Sequence, residues 1–222
     1  MNIPFGSLNE TFFWLTWLLA VPLLLWALWR APWHKVLNDW VAQAVFAGAV
    51  LLVLGLWSVK ASIGPGLSFH FLGATLLTLM FGWQFAFIAL AFVQALVTYT
   101  GGAGWDAFAA NWLTHAVVPV LVTWWSLLAA YRWLPRNFFV YVFLNAFLVG
   151  ALAMLASILA LSAVLVWGDV ISWSKLSYQF LPLLPMMMGP EAFVNGFLMT
   201  ILVINKVEWV STFTDEQYLH GK

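Results

Sequence analysis

Few residues in this chain can do chemistry, and they stand where lipid would penalise them. His70 lies in GLSFHFLGATLLTLMFG (66–82) and His115 in ANWLTHAVV (110–118), both otherwise apolar. Neutral imidazole is the commonest borderline metal ligand. Each ring could instead be polar glue, hydrogen-bonded to a neighbouring helix. His70 follows SIGPGLS, a Gly/Pro-rich stretch that lets backbone approach a buried site closely. Asn111 stands four residues before His115, on the same helical face, where it can hold the ring or cap another span. Two axial haem histidines could come only from His70 and His115.

The one acid deep in apolar sequence is Glu191, in PMMMGPEAFVNGF (185–197), with Asn195 one turn later. If a helix restarts at Pro190, Glu191 lies in its first turn, where the dipole and free amides favour a carboxylate. A counter-charge or coupling contact is the functional alternative. Met186, Met187 and Met188 are consecutive, so they point different ways on a helix and read as packing, not a soft-metal site. Gln84, Gln94 and Asn145 complete the polar set within the apolar runs. His34, in a basic loop, and His220, near the C-terminus, read as surface residues.

Other chemistries are absent. With no cysteine there are no disulfides and no thiolate ligands or nucleophiles. No phosphate-binding Gly-rich loop, HExxH or GxSxG occurs, and the spans lack paired acids, so neither ATP hydrolysis nor acid/base hydrolysis is expected of this chain. Zero net charge gives no reason to expect nucleic acid as a partner.

The elements that position these groups must be membrane helices. The chain has 222 residues, 64% hydrophobic and only 7% charged, with mean hydropathy +0.97. A soluble domain carries about 25% charged residues. The fold class is therefore an all-α polytopic membrane protein. The start lacks the basic region of a cleaved signal, so the first apolar run reads as a retained helix. Seven spans are expected, at 11–29, 41–59, 68–82, 84–99, 108–131, 138–167 and 177–204. The third and fourth are short and meet in the tight turn Gly82–Gln84, as tilted or incompletely crossing helices would. One set of loops then holds Arg30, Lys35, Arg132, Arg136, Lys206 and Lys222, and the other only Lys60 and Lys175. By the positive-inside rule the N-terminus is expected outside and the C-terminus in the cytoplasm. Residues 1–205 read as one transmembrane domain and 206–222 as a short cytoplasmic tail.

Several segments, in order, carry a resemblance. GLSFHFLGATLLTLMFG followed by FVQAL (92–96), then AANWL (109–113), Pro119, Tyr131 and PEAFVNGF (190–197), with MNIPFG at the start, is similar to the cobalt/nickel-type permeases of energy-coupling-factor transporters. The likeness runs from residue 1 to about 205. It implies the substrate-binding membrane subunit of an ABC-type importer in the cell membrane, a bundle of six or seven helices with the N-terminus tucked in. The substrate would be a divalent transition metal of the cobalt or nickel type. The partners would be ATPase subunits, a coupling membrane protein and membrane lipid. Carried over, Met1 supplies the terminal amine, Asn2 a backbone amide nitrogen and His70 an imidazole. Ser68, Asn111, Glu191 and Asn195 would support the site or couple it. The family's second residue is a histidine. The Asn2 carboxamide has no available nitrogen lone pair, and His115 is the intramembrane candidate to replace the lost imidazole. The alternatives are the same fold importing another small substrate, or a non-transport protein holding haem through His70 and His115.

Overall fold

The computed structural model describes residues 3, 6–59, 61–62, 68–101 and 104–218, with backbone alone for Ala61, Ser62, Ser68, Gln179, Asp215 and Gln217. Met1, Asn2, Lys60, His220 and Lys222, named above, lie outside the described residues.

Among the described residues six helices are long and apolar enough to cross a membrane: α1 (Glu10–Arg30), α2 (Trp40–Ser58), α3 (Ala74–Tyr99), α4 (Phe108–Trp133), α5 (Val140–Trp167) and α6 (Trp173–Asn205). The ends follow from the local sequence. Asn9 caps α1 by accepting from Phe12 N at 2.9 Å, and Asp39 caps α2 by accepting from Val41 N and Ala42 N. α1 and α2 face outward, with 17% and 22% of their apolar windows buried, whereas α3 is 67% buried and forms the axis of the bundle. α4 and α5 each contain a stretch of wider, π-type turns, at Leu113–Val117 and Val140–Leu148. Between α2 and α3 a minimal antiparallel pair joins β1 (Ala61–Ser62) to β2 (Ser68–Phe69).

The seven expected spans map onto these six helices because α3 carries two of them. The expected spans 68–82 and 84–99 are arms of one element, broken at Gly82, whose φ of 82° and ψ of 167° only glycine adopts readily. The break reverses the chain. Leu79, just before it, is tied through Thr212 to Tyr131 near the end of α4. Phe87, just after it, accepts from Trp112 Nε1 near the start of α4. Trp83 packs on Trp26 near the end of α1, and Asp106, beyond the second arm, bonds Gly6 before α1 begins.

Part of the stretch expected as a cytoplasmic tail packs against the bundle. Val210, Phe213 and Tyr218 are buried. Thr212 Oγ1 donates to Leu79 O (2.7 Å), Ser211 N donates to Met80 O (2.8 Å), and the Tyr131 and Tyr141 hydroxyls both bond Thr212 at 2.6 Å. The helix break leaves the Leu79 and Met80 carbonyls without amides of their own helix, and this segment supplies the donors. Burial pushes the Tyr218 hydroxyl pKa up, so the ring packs here un-ionised. Lys35 and Lys206 line the cleft beside Gly82, and Arg136 lies over the Tyr131 ring, so these three basic residues share this end of the bundle.

Candidate metal site

Three chain segments converge at the opposite end: the loop before α3, the end of α2 and the first turns of α4. The His70 and His115 rings lie 5.3 Å apart, centroid to centroid, and both are buried. Two imidazoles bound to one first-row ion at Zn–N-type distances would place their centroids about 4.5–6.5 Å apart. The observed spacing fits.

The protonation pattern also fits. His70 Nδ1 stands 2.9 Å from Phe71 O, and His115 Nδ1 stands 2.9 Å from Asn111 O. A carbonyl only accepts, so each Nδ1 must donate. That leaves the lone pair on Nε2 in both rings, the arrangement of a metal-ligating histidine oriented by a backbone carbonyl. The wider turn at Leu113–Val117 carries His115 and its bond to Asn111 O; such turns concentrate at functional sites.

Trp57 is the site residue that sequence reasoning missed. Fully buried, it lies 4.4 Å from the His70 ring and 6.1 Å from the His115 ring, and its Nε1 donates to Leu72 O at 3.0 Å. Among sixteen tryptophans nothing in the sequence sets it apart, because belt and core tryptophans look alike until burial is known. Asp106 was missed for the same kind of reason. It sits in a loop, and only the fold sets its carboxylate 2.6 Å from Gly6 N.

The polar residues expected to support the site divide. Asn111, one helical turn from His115, accepts at Oδ1 from Ile3 N at 2.8 Å, and Ile3 is buried. Glu191 does not begin a helix at Pro190, which lies inside the stretch Leu184–Asn205. It serves the dipole of another helix. Its carboxylate accepts from Leu72 N and Gly73 N, both at 2.9 Å, at the head of α3, and Asn195 Oδ1 accepts from Leu76 N at 2.8 Å. Asn195 Nδ2 returns a bond to Glu191 Oε1. The pair thus fixes the backbone immediately after His70. Ser68 enters through its backbone, paired with Ser62. His34 is exposed, as expected.

Among the described residues no group of three or more His, Cys, Asp or Glu side chains could hold a metal ion. Two imidazoles with backbone-fixed tautomers, set in a helical membrane bundle near Ile3, define a candidate cation site that needs further donors of another kind.

This is the architecture of a multi-pass membrane transporter rather than an enzyme. The chain belongs to the CbiM family, the cobalt uptake substrate-specific transmembrane region, whose model matches residues 2–209. It is a membrane component for metal uptake. None of the curated proteins matches it. Two solved structures share its fold. One, a truncated transition metal transporter, is 20% identical, with a TM-score of 0.77 over 92% of this chain and 99% of that one. The other, a transition metal transporter, is 21% identical, with a TM-score of 0.71 over 92% of this chain and 93% of that one.

Proposed function

We propose that the chain is the substrate-binding membrane subunit of an energy-coupling-factor importer for a divalent transition metal of the cobalt or nickel type. The observation that carries this reading is the facing pair His70 and His115, 5.3 Å apart, each with Nδ1 committed to a backbone carbonyl. Neutral imidazoles of this kind suit borderline first-row ions. The remaining donors would come from Met1 and the backbone of position 2. The anchoring of Ile3 on Asn111, beside His115, supports that assignment. His115 then stands in for the imidazole that Asn2 lacks.

The metal would enter from outside. The gathering of Lys35, Arg136 and Lys206 at the end opposite the histidines supports an outside N-terminus and a cytoplasmic C-terminus. The chain has no nucleotide-binding motif, so separate ATPase subunits and a coupling membrane protein would supply the energy. The haem alternative finds no support. The Trp57 indole lies against both imidazoles, in the space a macrocycle would need.

The test is metal content and affinity of the full-length protein, measured by elemental mass spectrometry and calorimetry with nickel and cobalt. Wild type should bind one ion. His70→Ala and His115→Ala should each weaken binding at least tenfold, and together abolish it. Equal metal content in wild type and double variant would sink the proposal. Asn2→His reports on the compensation: it should raise affinity in His115→Ala far more than in wild type.

A further inference from the structure

A divalent ion held by His70 and His115 would bring two positive charges into a buried place. Both rings are buried, and each has Nδ1 bound to a backbone carbonyl. Among the described residues no group of three or more His, Cys, Asp or Glu side chains stands there to balance the charge. Glu191, the acid deep in the spans, has both oxygens engaged, by the Leu72 and Gly73 amides and by Asn195 Nδ2. A buried charge without a partner is costly. The site therefore calls for an electron-rich neutral group.

Trp57 supplies one. Among the described residues two tryptophans are fully buried, Trp57 and Trp112. The Trp112 ring meets Phe87, 5.7 Å away at 72°. The Trp57 ring meets both imidazoles. It lies 4.4 Å from the His70 ring with the planes 36° apart, a tilted stack, and 6.1 Å from the His115 ring at 71°. Its Nε1 donates to Leu72 O at 3.0 Å, which fixes the indole in this pose. Of the aromatic side chains, indole offers the best π face to a cation within about 6 Å of its centroid, and desolvation strengthens the attraction.

A free imidazole and a metal-bound one differ in charge. Coordination draws electron density from the ring, so an occupied His70 carries part of the ion's positive charge. The indole face attracts that charged ring more than the neutral one. It therefore favours the occupied site over the empty one, a difference that packing alone would not make. On the reading of His70 and His115 as metal ligands, we propose that Trp57 sets the affinity of the site through its π face. It is a positioning residue that stabilises the charge His70 takes on when the metal binds.

The experiment places mono-, di- and tetrafluorotryptophan at position 57 of the full-length protein and measures nickel and cobalt affinity by calorimetry. Each fluorine drains the π face with little change of shape. Each also makes the indole N–H a better donor, so the bond to Leu72 O is not weakened. The logarithm of the association constant should fall in step with the number of fluorines, by about tenfold in total, for both metals. The midpoint of thermal unfolding should hold. The same series at Trp112 should leave affinity unchanged. Wild-type affinity throughout the Trp57 series would overturn the proposal, and so would an equal loss in the Trp112 series. A wild type that binds neither metal would overturn the assignment of His70 and His115 as ligands, and the role of Trp57 with it. Binding that ignores fluorine at Trp57 would overturn the role of the indole alone.

Discussion

The carboxylate of Glu191 accepts a hydrogen bond from the amide of Gly73 at 2.9 Å, across 118 residues of chain. Glu191 is the acid of α6 and Gly73 is the residue before α3, so this contact pins the start of the axial helix to the last span. Gly73 has a φ of 63°, and a Cβ there would press on Val53, so the turn that presents these amides requires glycine. In a lipid interior an uncapped helix start is costly. The carboxylate provides that cap, and so fixes the backbone that carries His70.

Replacing this carboxylate separates charge from shape. Glu191→Gln keeps one oxygen acceptor and loses the other, and it adds a donor facing amide donors. Bonds to a charged acceptor are each worth about 1.5–3 kcal/mol. We expect a loss of about 2–3 kcal/mol, read as a lower midpoint of thermal unfolding in detergent. Metal affinity should fall with it, because His70 lies next to the released turn. An unchanged midpoint would show that the cap is dispensable.

Asn111 offers a cleaner separation of site from fold. Asn111→Ala removes the acceptor for Ile3 N but keeps the backbone carbonyl that orients His115. Stability should fall by about 1 kcal/mol, the worth of one ordinary bond. Nickel affinity should fall about 10–100-fold, as when a residue orienting a metal ligand is lost. Calorimetry beside thermal unfolding reads both. If affinity holds, the N-terminal segment supplies no ligand.

The helix break makes a conformational prediction. Gly82 lies in a region that costs other residues about 1–3 kcal/mol, while the nearest atom to an added Cβ is Gln84 Oε1 at a comfortable 3.4 Å. Gly82→Ala should therefore destabilise through backbone strain and not through a clash. Gly82→Val should be at least as costly. A neutral Gly82→Ala would mean the arms can join at another residue.

The packed C-terminal segment depends on one hydroxyl. Thr212→Val keeps the side chain's shape but strips the donor to Leu79 O and the partner of the Tyr141 hydroxyl. Each group left unsatisfied costs about 1–3 kcal/mol. Amide exchange at 210–213 should quicken at least tenfold in Thr212→Val and return towards wild type in Thr212→Ser. Equal exchange in all three would assign the packing to Phe213 and Tyr218 alone.

The sequence by itself determined a great deal here. So few charges over 222 residues leave a membrane bundle as the outcome, and the apolar runs locate its helices, because lipid demands the same length and composition of any span. His70, His115, Glu191 and Asn195 were legible for a related reason: a polar group in an apolar run is too costly to be incidental. The tight turn at Gly82 was legible too, as a glycine between two short runs.

The partners were not legible. Local pattern placed Glu191 at the head of its own helix, but only packing brings it to the head of α3. Nothing in the local sequence distinguishes Trp57 from the outward-facing tryptophans, and a polar C-terminal stretch reads as solvated until the bare carbonyls of Leu79 and Met80 are found beside it. Spacing along the chain settles which residues share one helix face. Which faces meet depends on contacts between residues far apart in sequence, and these form only when the whole bundle packs.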